Sequence, residues 1–262
     1  MVPGSLDPVD PDTLLETLTR AADAGAASLA SLEDWSLAGT RPGQYRSDLV
    51  ADPAAVDVLL AAGLGVVSEE SGAHEPDREL VAVVDPVDGS TNASRRLPWY
   101  ATSICVLDDS GPLVALVVNQ ATRTRYEAVR GRGARRDGRP IAPSGVTRVD
   151  RATLGLSGYP ARHLGWRQYR ALGAMALDLC AVAEGALDGF VDCVGGPHGG
   201  PWDYLGGLLV CEEAGASVAD AVGRDLLVRD ASEWRSPVAG ATPELLAALL
   251  DARTAATGAA SR

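Results

Sequence analysis

The stretch from Leu80 to Thr102 constrains what this chain can fold into more than any other. It runs Leu-Val-Ala-Val-Val, then Asp85-Pro-Val-Asp88-Gly89-Ser90-Thr91-Asn92, and resumes as Tyr100-Ala-Thr-Ser-Ile-Cys-Val-Leu. A run of apolar β-branched residues reads as a buried strand. Two carboxylates, a Gly, two hydroxyls and an Asn stand at its end. Rigid strand ends followed by Gly-containing turns are where α/β proteins put side chains that must reach a ligand. Two Asp at one strand end repel unless a cation lies between them, and hard oxygen donors suit Mg²⁺. By itself the segment reads equally well as an Asp-Pro-x-Asp-Gly turn between two strands. Partners elsewhere in the chain decide.

Composition narrows the classes. At 262 residues, 46% of them hydrophobic, the chain can fill one large core or two ordinary ones. Its net charge of −12 argues against a nucleic-acid-binding surface. All 23 basic residues are Arg, so Schiff-base and Walker-type Lys mechanisms are excluded. Cys105, Cys180, Cys193 and Cys211 show no CxxC spacing, which favours free thiols in a reducing compartment over disulfides or zinc. The acidic start lacks the apolar core of a signal peptide, and no apolar run reaches the roughly 18 residues of a membrane span. A cytoplasmic protein is expected.

Read in order, the chain predicts a helix from Pro11 to about Leu37 capped by Asp12, and a second opened by Asp52 and Pro53 and stopped by Gly63. A short strand, 64–68, ends in Glu69-Glu70. Strands follow at Tyr100–Leu107, Gly111–Asn119 and Arg123–Val129, then a hairpin with an Asp137-Gly138 turn. The Pro/Gly/Ser segment Ala142–Gly145 is the expected boundary between an N-terminal α+β domain, 1–143, and a C-terminal α/β domain, 144–262. The second half predicts a strand at Ala152–Ser157, a helix at Tyr169–Glu184 and a strand ending at Asp192. A flexible loop at Gly195–Pro201, a helix opened by Trp202-Asp203, short strands at Ala216–Asp220 and Leu226–Val228, and a final helix capped at Thr242-Pro243 complete it. The last ten residues are expected to fray.

Three acidic features therefore occur in one order: Glu-Glu at a strand end, Asp-Pro-Val-Asp-Gly-Ser-x-Asn at the next, and Trp-Asp at a later helix start. This constellation resembles the inositol monophosphatase family of metal-dependent, lithium-sensitive phosphatases, over about Asp48 to Ala219 and including the Gly131–Gly138 segment. The resemblance implies a mixed α and β fold, a layered α-β-α-β-α sandwich, and a homodimer. It also implies Mg²⁺-dependent hydrolysis of a small phosphorylated metabolite. Glu69, Asp85 and the Val87 carbonyl would hold one ion; Asp85, Asp88 and Asp203 a second; a third, weaker ion would lean on Glu69. Ser90 stands where Thr is usual. With Glu69 it would activate the attacking water, and Asp52 would support its hydroxyl. The Gly89 and Ser90 amides would receive phosphate oxygens. Asp88, Gly173, Ala174, Asp192 and Asp203 would contact the substrate alcohol.

Several positions depart from the family pattern. Met175 is bulky, Asp192 is one methylene shorter than the usual Glu, and the loop before Asp203 is longer. The basic residue common before the first acidic motif has only Arg46 as its nearest counterpart. Glu70 and Asn92 read as supporting residues, and His74, His163 and His198 as ordinary histidines. Inositol monophosphate is the first expectation. Histidinol phosphate, fructose 1,6-bisphosphate or a 3′-phosphoadenosine nucleotide would use the same chemistry. A non-catalytic dimeric binding module would require a lost acid, and none of the four is lost; a glycosidase is disfavoured because the acids cluster about a turn.

Overall fold

The computed structural model describes residues 10–194, 196, 198–228, 230 and 232–257. The first nine residues, Gly195 and Pro197 of the predicted flexible loop, and the last five residues lie outside them. Helix α1 spans Pro11–Ala30, and Asp10, not Asp12, caps it by accepting from the Thr13 amide at 3.3 Å. It ends before the predicted Leu37. There Asp34 accepts from the Ser36 amide at 3.0 Å, a local turn that competes with helix. Helix α2 spans Arg46–Ala61 and begins one and a half turns before the predicted Asp52–Pro53 start. Asp48 accepts from the Tyr45 amide at 2.8 Å and opens the helix, leaving Asp52 and Pro53 inside it. Pro53 has no amide to donate to the Leu49 carbonyl and its ring crowds that turn, a cost α2 carries in its interior.

An eight-stranded sheet follows, in the order β2-β1-β3-β4-β5-β6-β7-β8. Its strands are β1 (Gly65–Ser68), β2 (Gly72–His74), β3 (Val81–Asp88), β4 (Ala101–Asp108), β5 (Gly111–Asn119), β6 (Arg125–Val129), β7 (Gly133–Arg136) and β8 (Arg139–Pro140). Only the β1–β3 pair is parallel, so the two acid-bearing strand ends point the same way. The β3–β4 register shifts between Asp85 and Asp88. Pro86 cannot donate to a ladder, and the bulge carries Pro86-Val87 out of it. The short helix α3, Ser90–Ser94, follows the bulge directly.

The second sheet has the order β10-β9-β11-β13-β12, with β9 (Thr153–Ser157), β10 (Gln168–Arg170), β11 (Gly189–Asp192), β12 (Ser217–Asp220) and β13 (Pro237–Gly240). Helix α4 covers only Met175–Ala183, because Tyr169 belongs to β10 and Gly173 has φ +85°. Helices α5 (Pro201–Ala214) and α6 (Pro243–Thr257) complete the chain, so at least the first part of the segment expected to fray is helical. Leu226 and Val228 are buried without forming the predicted strand; β13 pairs with β11 and β12 instead.

Strand alternation fixes the layers. Ala82, Val84, Ile104 and Leu116 face Leu18, Val56 and Leu59 of α1 and α2. Val81, Val83, Cys105 and Val117 share a core with Leu179, Leu205 and Leu208 of α4 and α5, and with Phe190 and Ala239 of the second sheet. Leu154, Val191 and Val238 pack on Leu245 and Leu249 of α6. The result is the expected mixed fold, layered α-β-α-β-α, with α4 and α5 sandwiched between the sheets. Cys105, Cys180 and Cys211 are buried free thiols, and Cys193 is half-buried. Among the described residues no helix is long and apolar enough to cross a membrane.

Candidate active site

Asp85, Asp88 and Asp203 each offer a carboxylate oxygen within 4.8 Å of the other two, the one such acidic group among the described residues. Asp85 and Asp88 flank the β3 bulge and are 1% and 7% exposed. Asp85 Oδ1 accepts from the Val87 amide at 2.9 Å, which folds the bulge around its own carboxylate. Asp203 lies in the first turn of α5 and accepts from the Gly200 amide at 2.6 Å. It both caps the helix and joins the cluster.

Glu69 follows β1, beside β3, and its amide donates to the Val84 carbonyl at 3.1 Å. Its affinity for a proton is pushed up to about pKa 8, first by burial and then by Asp203 and Glu70. Asp85 is raised well above the carboxylate range by burial, then by Glu69, Asp88 and Asp203. Asp88 rises to about 8, mostly through burial, although amide donors work against it. Burial and Asp88 raise Asp203 likewise. Four carboxylates, Asp85 and Asp88 buried and Glu69 and Asp203 half-buried, raise one another's pKa and form a site built for positive charge. Hard oxygen donors of this kind fit a divalent cation such as Mg²⁺.

Both Asp88 oxygens are engaged across the halves: the Met175 and Ala176 amides, at the start of α4, donate to them at 3.2 and 2.8 Å. Gly89, at φ +85°, is pressed against the same region. A Cβ there would lie 3.0 Å from the Gly173 carbonyl, 3.1 Å from Ala174 Cβ and 3.1 Å from the Trp99 carbonyl. Crowding by protein, as well as by any ligand, thus demands Gly. Asn92 donates from Nδ2 to the Trp99 and Leu172 carbonyls at 2.8 and 2.7 Å, tying α3 to the approach to α4. Ser90 opens α3 beside Gly89, half-buried.

Other predicted residues sit differently. Asp52 is buried in α2 and accepts from the Ser68 hydroxyl rather than from Ser90. Ser68 Oγ in turn accepts from the Glu70 amide at 3.2 Å, so Asp52 braces the Glu69-Glu70 turn. Met175 is 7% exposed and backs onto Gly199, where a Cβ would meet its sulfur at 3.2 Å; it fills the interior more than it narrows an opening. Asp192 is fully buried at the end of β11, and its Oδ2 has no hydrogen-bond partner among the described residues. Its charge also raises Asp203. Arg46 pairs with Asp34 at 2.9 Å, away from the acids. His74 contacts Ser71 and His163 packs on Trp166.

Sequence reasoning missed three groups. Arg41 pairs with Glu70 at 2.6 Å and donates to the Glu69 carbonyl at 3.3 Å. Gln44 donates to Glu70, and Tyr45 Oη accepts from Thr91 at 3.1 Å. They hold the 31–45 segment over the acidic turn, and a basic residue in a Gly/Pro loop was the one signal for Arg41. Buried Asp178 of α4, raised to about 8 by burial, accepts from the Trp99 indole at 2.9 Å. Nothing in its apolar helical context announced that role.

The family model described as the inositol monophosphatase family matches residues 48–257. The fructose-1,6-bisphosphatase of Pyrococcus furiosus is 31% identical over 210 residues, covering 77% of this chain and 81% of its own length. A protein of Thermococcus kodakarensis named fructose-1,6-bisphosphatase/inositol-1-monophosphatase is 34% identical over 211 residues, covering 78% and 80%. Among solved structures, a hypothetical protein of Pyrococcus horikoshii with similarities to inositol-1 monophosphatase superimposes with a TM-score of 0.84. Its identity is 26%, with 93% of this chain and 99% of that one covered.

Proposed function

This chain belongs to the inositol monophosphatase family and is a phosphatase, and from that premise we propose that it is a Mg²⁺-dependent phosphomonoesterase of small polyol or sugar phosphates, inositol monophosphate first. The observation that carries this reading is the meeting of Asp85, Asp88 and Asp203 within 4.8 Å. Asp85, Asp88 and Asp203 would hold one ion, and Glu69, Asp85 and the Val87 carbonyl another, with Glu69 also able to support a third. Bound there, a divalent cation supplies an acidic water and neutralises phosphate charge.

The chain's own groups do the rest. The Gly89 and Ser90 amides, opening α3 with no side chain at Gly89 in the way, receive phosphate oxygens. Glu69, half-buried beside Asp203, takes the proton from the attacking water, and the Ser90 hydroxyl orients that water. Asp52 keeps Glu69 in place through Ser68 and the Glu70 amide. The α4 amides fix Asp88, so the substrate side and the acidic side share one framework. Gly173 and Ala174 would meet the substrate alcohol, and Asp192, fully buried at the end of β11, would support that side from behind. Fructose 1,6-bisphosphate is the second substrate reading, since one relative is named a fructose-1,6-bisphosphatase and the other carries both names. Free buried thiols suit the cytoplasm, and the working form would be a homodimer.

Phosphate release from a panel of phosphate monoesters, with and without Mg²⁺, tests the reading. Release that needs Mg²⁺ and favours inositol or sugar esters is expected. Failure with every ester would favour a binding module.

A further inference from the structure

A cleft of about 950 Å³ opens on the side of α3 away from its Gly89–Ser90 end. Glu33, Trp35, Tyr45 and Tyr100 line it together with Arg95 and Arg96. Both Arg side chains are exposed, and among the described residues neither makes a hydrogen bond or ion pair. Their neighbours are engaged: Arg46 with Asp34, Arg41 with Glu70 and Arg123 with Asp23. Glu33 is the one acid among the cleft residues, and it reaches neither guanidinium. Arg95 and Arg96 thus set two adjacent, unpaired positive charges on one cleft in a chain of net charge −12.

The backbone gives a second, independent sign. The Leu97 amide donates to the Asn92 carbonyl at 2.9 Å and the Arg96 amide to the Ala93 carbonyl at 3.0 Å, the paired bonds of a Schellman ending. Arg96 therefore occupies the left-handed position, φ +59°, that Gly normally fills. A side chain held where Gly is favoured is an outlier consistent with a use for that side chain. Trp35 and Tyr100, edge to face at 6.4 Å, add aromatic surface beside it. The Tyr45–Thr91 bond ties the cleft lining to α3 itself.

We propose that Arg95 and Arg96 form a second phosphate-binding subsite at the C-terminal end of α3, for an organic phosphate whose anion they grip. Paired guanidinium groups suit phosphate because their forked donors match its oxygens. From Ser90 to Arg95 the helix advances only about 7.5 Å. The phosphate can thus be the second group of a bisphosphorylated substrate, which deepens the phosphatase reading, or that of a separate phosphorylated metabolite, which does not depend on it.

The test compares the full wild-type chain with Arg96→Gly and with Arg95→Ala/Arg96→Gly, in which Gly suits the left-handed position and preserves the fold. Michaelis constants are measured for fructose 1,6-bisphosphate and inositol 1-phosphate with Mg²⁺. Calorimetric binding of AMP, with adenosine as the uncharged control, is measured without divalent ions. A tenfold rise in KM for the bisphosphate alone, kcat unchanged, identifies the substrate's second phosphate. A tenfold loss of AMP binding with both KM values unchanged identifies a separate metabolite, and adenosine should bind in neither case. If neither ester is hydrolysed, the phosphatase reading fails while the AMP measurement still decides this one. The proposal is overturned if bisphosphate KM and AMP binding both stay within twofold of wild type, if wild type hydrolyses neither ester and binds no AMP, or if adenosine binds as well as AMP.

Discussion

Gly206, one turn beyond Asp203 in α5, leaves no room for a side chain against Ser103: a Cβ would lie 2.6 Å from Ser103 Oγ. Ser103 is the β4 partner of Asp85. The close approach of helix to strand therefore fixes how near Asp203 comes to Asp85.

Gly206→Ala should accordingly weaken the site more than the fold. Ala gains roughly 0.5–1 kcal/mol of helix stability over Gly, while overpacking a core contact costs roughly 1–3 kcal/mol, so the overlap wins. A Mg²⁺ titration should show apparent affinity reduced by about tenfold, with a small change in melting temperature. Unchanged Mg²⁺ dependence would mean that α5 can shift without moving Asp203.

The acidic cluster predicts an unusual pH response. Glu69 and Asp88 bind protons more tightly in the folded chain, with pKa raised from 4.5 and 3.8 to about 8. Their contribution favours folding below about pH 4 and is lost as pH rises toward 8. Metal-free protein should lose stability over that window, and Mg²⁺ should restore it increasingly at the alkaline end. Even a tenfold change in proton affinity, ~1.4 kcal/mol, moves the melting temperature by roughly 2–4 °C in a chain of this size. Thermal melts with chelator and with Mg²⁺ from pH 5 to 9 measure it; equal curves at all pH values would remove the cation from the account.

Ser90→Thr should keep most activity, since it keeps the hydroxyl at the same backbone position. Ser90→Ala should lower kcat by about 10²-fold, within the range of lost proton-transfer assistance. Steady-state kinetics at saturating Mg²⁺ separates the two, and equal rates for all three proteins would remove the hydroxyl from water activation.

Much of this was legible in the sequence for a physical reason. The β3 strand, its Pro-broken end and the following Gly announce a bulge and turn, and Trp202-Asp203 announces a helix start; both rest on local chemistry. What was missed depends mostly on tertiary contacts, and in one case on a competing local cap. Pro53 looked like a helix opener, but Asp48 opens α2 by capping the Tyr45 amide. The Pro-Val-Ala-Gly strand β13 is too short and small to declare itself, and it is ordered by pairing on both sides. Asp52 pointed to Ser90 only by resemblance, whereas its neighbour across the α2–β1 contact is Ser68. Arg41 gave no periodic signal because it works from an irregular loop.

Phosphate release from inositol 1-phosphate by wild type and Asp203→Asn, with Mg²⁺ and with chelator, tests the central claim most directly. Asn keeps the shape and can still cap α5, but removes the charge contributed from the second half. The account predicts release only with Mg²⁺ and a loss of about 10²-fold or more in the variant, with unchanged circular dichroism. Release by Asp203→Asn near the wild-type rate, or wild-type release that persists in chelator, would contradict it.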